Sequence, residues 1–327
     1  MIRATLMKTL FWIAGLALIT QWQSAAGPLV REHVSPQAKW VIHFDAEHFR
    51  TTKFGEFYVE NVLESSLAEA KVKFQFDFGP LIRSLKSATA YGTEYQKSSN
   101  DSGVLLLQAS PSAVDDVGVK LAAWLALENS AKKKSGRIRQ LMVEPFAVYQ
   151  VDKETIIAPL PDGRLLFGKS RQHVQKAAEV VLGKSPNLAS TSLFADWNAG
   201  DEGFILAAAV DDLNKNAALS PHAKIFRQTD QGRLVLAERG EQLTLNVSLH
   251  ADSAESAARV KKLIEGLVAW AEMEKAEDPE LQLLAKSAQV SVAARTVNLG
   301  LAYPVERVMK KMADDLKKTP PAKPGAK

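Results

Sequence analysis

The chain of 327 residues contains no cysteine, which excludes disulfides, thiolate metal sites and cysteine nucleophiles. Aromatic residues make up only 7%, and 14 prolines with 18 glycines are too few for collagen-like or low-complexity sequence. The hydrophobic fraction of 46% is too high for a disordered chain, and the length allows about two domains. Beyond the N-terminus no uncharged segment reaches the roughly 20 apolar residues that span a bilayer as a helix. Gly-x-Ser-x-Gly and His-Glu-x-x-His are both missing, which removes the common sequence signals for serine hydrolases and zinc proteases.

What is present begins with an address. Arg3 and Lys8 precede an uncharged stretch from Thr9 to Thr20, and Ser24-Ala25-Ala26 places small residues where a signal peptidase cuts. The expected product lacks residues 1–26, has no transmembrane anchor after cleavage, and is periplasmic or secreted in a bacterium. An exported chain without disulfides depends on a packed core. Export also changes the charge. The whole chain carries 41 Lys plus Arg against 37 Asp plus Glu, but Arg3 and Lys8 leave with the signal and four lysines belong to residues 317–327, a Lys/Pro-rich tail expected to be disordered. The body from Gly27 to Leu316 then holds 35 basic and 37 acidic residues, so the basic balance argues for no nucleic-acid partner. One basic cluster remains in the body: Lys132, Lys133, Lys134, Arg137 and Arg139. It reads as a solvated loop first and as an anionic-surface site second, since no aromatics are interleaved for stacking on bases.

Periodicity predicts an α+β fold of two similar units, a duplication, each a mostly antiparallel sheet with helices packed on one face. The first unit, 27–184, has strands over 40–45, 86–93 and 103–109, helices near 54–70 and over 113–128, strands over 146–151, 155–160 and 164–167, and a helix over 171–182. Ser112 with Asp115 three residues on reads as the start of the second helix. The second unit, 185–316, repeats the order: a strand over 204–210, an irregular or helical part to Arg227, strands over 233–238 and 242–250, a helix over 254–273, strands over 289–294 and 297–302, and a helix over 304–316. Leu107-Gln108-Ala109-Ser110 answers Leu249-His250-Ala251-Asp252, and Leu121-Ala122-Ala123-Trp124 answers Leu267-Val268-Ala269-Trp270. The offsets differ by about one helical turn, so Trp270 is expected to enter the core as Trp124 does.

Two motifs invite chemistry. Gly163-x-x-x-x-Gly168-Lys169-Ser170 satisfies the phosphate-loop pattern, but its interior, Arg164-Leu165-Leu166-Phe167, is an apolar β-prone run, and Pro161-Asp162-Gly163 signals a hairpin turn. Nucleotide binding is therefore disfavoured, with Ser170 expected to start a helix. His43-x-Asp45-x-x-His48 offers two imidazoles and a carboxylate to zinc, yet His48 lies past the strand end, and an acid at a strand-to-helix junction is more simply a cap. No cofactor is expected, and no catalytic residue is assigned. His173, His222 and His250 show no partners nearby in sequence.

Trp40-Val41-Ile42-His43-Phe44-Asp45, together with Leu165-Leu166-Phe167-Gly168 and the helix after it, resembles exported proteins of planctomycete and verrucomicrobial bacteria. The resemblance implies a bacterial exported α+β protein and transfers no activity. The functional expectation is a non-enzymatic binding or structural protein for a protein or small-molecule ligand. The alternatives are a hydrolase or metal-dependent enzyme with a site assembled from distant residues, and anionic-surface binding through the basic loop and tail.

Overall fold

The computed structural model describes residues 29–318 except 75, 96–101, 131–135, 143–144, 153, 192–202, 216–227 and 275–278. The expected signal peptide lies outside the described residues, as does the tail beyond Lys318; Lys317 and Lys318 themselves close the last helix. The strands are β1 (Trp40–Asp45), β2 (Ser87–Gly92), β3 (Gly103–Gln108), β4 (Ile138–Met142), β5 (Val148–Val151), β6 (Thr155–Leu160), β7 (Arg164–Gly168), β8 (Phe204–Val210), β9 (Thr229–Arg239), β10 (Gln242–Ala251), β11 (Gln289–Ala293) and β12 (Thr296–Pro304). The helices are α1 (Ala46–Arg50), α2 (Lys53–Tyr58), running through a π turn at Val59–Leu63 into α3 (Glu64–Phe74), then α4 (Gly79–Arg83), α5 (Pro111–Ser130), α6 (Arg171–Val181), α7 (Ala254–Glu274), α8 (Pro279–Lys286) and α9 (Val305–Lys318).

All twelve strands form one antiparallel sheet, in the order β11-β12-β10-β9-β8-β1-β2-β3-β7-β6-β5-β4. The two expected sheets are therefore continuous, joined where β1 pairs with β8. Outward from that seam one side runs β1-β2-β3-β7-β6 and the other β8-β9-β10-β12-β11, the same connectivity twice. Strand registers then fix the counterparts residue by residue. Ile42 pairs with Ala208, its own counterpart, so a local two-fold axis stands on the seam perpendicular to the sheet. The end contacts repeat as well. Ala109 N–H donates to Gly163 O at 2.8 Å, and Ala251 N–H donates to Arg295 O at 2.9 Å.

The long helices repeat with a uniform offset, which corrects two expectations. Ser110 Oγ accepts from Ala113 N–H at 3.3 Å, and its counterpart Ser253 Oγ accepts from Ser256 N–H at 3.1 Å. Helix α5 thus begins at Pro111 behind a Ser110 cap, not at Ser112; proline is suited to the first helical position because its missing N–H has no partner there. Carried along the helix, this alignment sets Trp124 against Leu267 and Leu127 against Trp270. Trp270 accordingly stays 50% exposed, as Leu127 stays 70% exposed, and does not enter the core.

Alternation along the strands sends each residue to one of two apolar layers. Leu105, Leu107, Leu165 and Ile157 face α5, whose Val114, Val117 and Leu121 are buried against them. Leu106, Leu166, Ile156 and Ala158 face the opposite side, where Val174, Ala177, Ala178 and Val181 of α6 cover them. Each leucine fully buried in this way contributes about 2 to 3 kcal/mol. Helices α1–α5 and α7–α9 share the first face, as expected, since Leu243 joins Met312 of α9 in the α5 layer while Val247 and Leu249 of the same strand face meet Val260 of α7. Helix α6 is the exception and lies across the sheet from them.

Candidate functional site

The face that α6 covers continues across the seam, and there its composition changes. Counterparts read from the registers set Val104 against Asn246, Leu106 against Ser248, Leu166 against Asn298, Ala158 against Ser291 and Ile156 against Gln289. Four buried apolar residues and a buried alanine in the first half answer five polar residues in the second, where Asn246 and Ser291 are exposed. Among the described residues no helix lies on this part of the sheet.

The chain path explains the difference. Gly168 ends β7, and its counterpart Gly300 is followed by four more strand residues before β12 stops at Pro304. The helix that follows leaves on the other face, where Met312 packs in the α5 layer. The tether of the covering helix is also gone. Arg164 donates from Nη1 to Val181 O at 2.8 Å and from Nε to Pro161 O at 3.1 Å, holding the C-terminal end of α6 to the β6–β7 turn. At the counterpart position stands Thr296, whose Oγ1 instead shares a hydrogen bond of 3.2 Å with His250 Nδ1.

The result is a grid of short polar side chains on a rigid ladder. One row across the strands holds Arg233, Ser248, Asn298 and Ser291, in register from β9 through β10 and β12 to β11. The next holds Gln231, His250 and Thr296. Ser248 Oγ donates to Asn298 Oδ1 at 2.7 Å, which fixes both side chains, and cross-strand pairs of this kind order a surface before any ligand arrives. The rows supply amide, hydroxyl, imidazole and guanidinium groups, and the carboxylate that borders them, Asp211, already accepts from Gln231 Nε2 at 3.1 Å. That chemistry suits recognition by hydrogen bonds better than acid–base catalysis.

The residues singled out from sequence lie elsewhere. His43 is 1% exposed, its Nδ1 shares a hydrogen bond of 2.8 Å with Thr89 Oγ1, and its ring packs on Phe204. Asp45 accepts from His48 N–H at 2.8 Å and caps α1. The His48 ring turns to Gly203, and its buried Nε2 has no hydrogen-bond partner among the described residues. The described residues contain no cluster of three metal-ligating side chains, so His43, Asp45 and His48 are not brought together.

In the phosphate-loop match, Arg164–Gly168 is strand β7, with Leu165 and Leu166 fully buried, so its backbone N–H groups serve the ladder and do not converge on an anion. Gly163 takes φ +76° in the preceding turn, and a Cβ there would lie 2.2 Å from Ala109 O. Gly168 makes room for Val174 of α6, since its own Cβ would lie 2.6 Å from Val174 Cγ2. Ser170 is the extended residue before α6, as expected, but its side chain makes no capping bond, and Lys169 stands beside it in the same connection.

Of the basic cluster, Lys132, Lys133 and Lys134 lie outside the described residues. Arg137 sits 5.9 Å from the Trp124 ring centroid and 3.6 Å from Asp152 Oδ1, while Arg139 donates to Gln150 Oε1 at 2.9 Å. Both side chains are exposed, Arg139 on strand β4 and Arg137 directly before it. His222 lies outside the described residues. The junction match of Leu107 with Leu249 also sets Val104-x-Leu106 against Asn246-x-Ser248, so the change of polarity stands in the sequence directly before the matched segment.

No known protein family matches the chain, and no curated protein does. Solved structures of TP0453 are similar in fold. Its crystal form III gives a TM-score of 0.49 at 13% identity over 88% of this chain and 98% of that one. Form IV gives 0.48 at 13% over 89% and 98%, and form I gives 0.46 at 13% over 90% and 99%.

Proposed function

We propose that this chain is an exported, non-enzymatic binding protein of the bacterial periplasm or exterior, built by duplication of one α+β unit, in which the second copy has been opened to receive a ligand. The observation that carries the reading is the contrast of counterparts: positions that are apolar and helix-covered in the first half are polar in the second, where no helix covers them among the described residues. A sheet face freed of its helix would ordinarily keep apolar residues and aggregate. Here it has hydrogen-bonding groups locked in pairs, which is what a preorganised recognition surface requires. The N-terminal Arg3, Lys8 and Ser24-Ala25-Ala26 support export, and the missing cysteines fit a core that holds without disulfides.

The test has two parts. Mass spectrometry of the natural protein should give an N-terminus at Gly27. The mature chain, immobilised against soluble extract of the exported compartment, should retain a partner that is released by Ser248→Leu and by Asn298→Leu but kept by Lys310→Ala on exposed α9. Hydrolytic turnover by the purified chain that disappears in His250→Ala would overturn the reading in favour of an enzyme.

A further inference from the structure

Strand β11 is one edge of the sheet, and the first half shows what such a position holds when it is filled. The counterpart of β11 is β6, with Ile157 answering Val290 and Pro159 answering Val292. Strand β6 is not an edge, because β5 pairs with it through Tyr149 and Ile157, and β4 follows β5. Among the described residues nothing pairs with the outer side of β11. Nor is that side blunted. Gln289–Ala293 has no charge, no proline and no bulge, whereas the opposite edge, β4, carries Arg139 and a register shift between Gln140 and Met142. The β11–β12 hairpin turns through two residues, Ala294 at φ +52° and Arg295, so Ala293 and Thr296 form the closing hydrogen-bonded pair. By alternation, the N–H and C=O of Val290 and Val292 point outward.

A roof lies over this edge. In the first half α5 covers the filling hairpin, with Ile138 of β4 at 2% exposure and Tyr149 of β5 packed against Val114, Val117, Leu121 and Trp124. In the second half α7 lies over β11, and Leu267, the counterpart of Trp124, is 56% exposed, with Leu263 and Trp270 beside it at 46% and 50%. Among the described residues no strand lies beneath these side chains, and α8 stands in the chain between α7 and β11 where β4 and β5 stand in the first half.

We propose that this slot takes an extended segment of another protein as an added antiparallel strand, its alternate aromatic or β-branched side chains turned toward α7, as Tyr149 and Val151 of β5 turn toward α5 in the first half. Strand addition of this kind draws affinity from backbone bonds and specificity from the alternate side chains. A second copy of this chain does not fit. Antiparallel pairing of β11 with β11 would place both α7 helices on the same face, and a helix about 10 Å wide over strands about 4.8 Å apart reaches into its mate's space. The inference stands independently of the polar face.

The probe is a fluorescein-labelled peptide with the sequence of residues 146–152, Phe-Ala-Val-Tyr-Gln-Val-Asp, measured by anisotropy against the mature chain. Saturable binding is expected, with a scrambled peptide that breaks the alternation binding at least about tenfold more weakly. Val292→Pro should cost about tenfold or more while leaving the urea midpoint unchanged, because Val292 N–H is outside the β12 ladder and proline already stands at the counterpart, Pro159. Leu267→Asp should weaken binding as well, and Lys310→Ala on exposed α9 should leave it intact. Absence of binding, or binding indifferent to both Val292→Pro and Leu267→Asp, overturns the proposal. A wild-type dimer in light scattering that Val292→Pro dissociates would assign the slot to a second copy and overturn it too.

Discussion

A reciprocal swap tests whether one sheet face is covered in one half and open in the other. Leu166 and Asn298 are counterparts on β7 and β12, so each can be given the other's side chain. Leu166 is fully buried in the layer that holds Val174 and Ala178. Leu166→Asn removes an apolar side chain worth about 2 to 3 kcal/mol and buries an amide whose unmatched groups cost about 1 to 3 more. The expected loss is about 3 to 6 kcal/mol. Asn298→Leu gives up one bond from Ser248 Oγ, about 1 kcal/mol, and gains strand propensity on a face that no helix among the described residues covers. Its net effect should stay within about 1 kcal/mol. Urea unfolding followed by circular dichroism compares the two midpoints against the wild type. Equal losses in the two variants would refute the reasoning, and so would a loss of several kcal/mol in Asn298→Leu.

Three further outcomes follow from local geometry. Burial and the Arg164 guanidinium hold the His33 imidazole below its ordinary value, so the fold favours the neutral ring. That stability is present above the ordinary histidine range and is lost as pH falls through the depressed folded value; in thermal melts His33→Gln should flatten this acid limb and leave the melting temperature near pH 8 almost unchanged. Gly163→Ala forces a side chain onto φ +76° and onto Ala109 O, and should cost about 2 kcal/mol or more, whereas Ala294→Gly, at φ +52° in the counterpart turn, should stabilise by up to about 1 kcal/mol; chemical denaturation reads both signs. Arg164→Met removes the tether from α6 to its turn and should cost about 2 kcal/mol, with the loss of hydrogen-exchange protection concentrated in residues 171–181.

Much of the fold was legible because the strands alternate and the helices carry one apolar face. Phe204–Val210, Thr155–Leu160 and Trp40–Asp45 were readable to the residue. Strand β4 was not, because Arg137 and Arg139 flank Ile138, and a strand whose single buried residue lies between two arginines looks like a basic loop. The repeat was legible in order, but pairing Trp124 with Trp270 was misleading. The counterpart of Trp124 is set by the cap at Ser253 and is Leu267. The crossing of α9 to the other face was not legible, since it turns on four extra residues in β12 and not on any residue type. The polar face was present in the sequence as Asn246, Ser248, Ser291 and Asn298, each unremarkable alone. It becomes a signal only against Val104, Leu106, Ala158 and Leu166.

The absence of cysteine supplies the most direct test of the central claim, that the second half presents an open face where the first is covered. Val104→Cys and Asn246→Cys place single thiols at counterpart positions, one on a side chain 4% exposed and one on an exposed side chain. With a maleimide under native conditions, Asn246→Cys should react within about tenfold of the urea-unfolded rate. Val104→Cys should be at least about a hundredfold slower, because it waits for local opening. Equal protection of the two thiols would mean that the second face is covered after all, and would contradict the account.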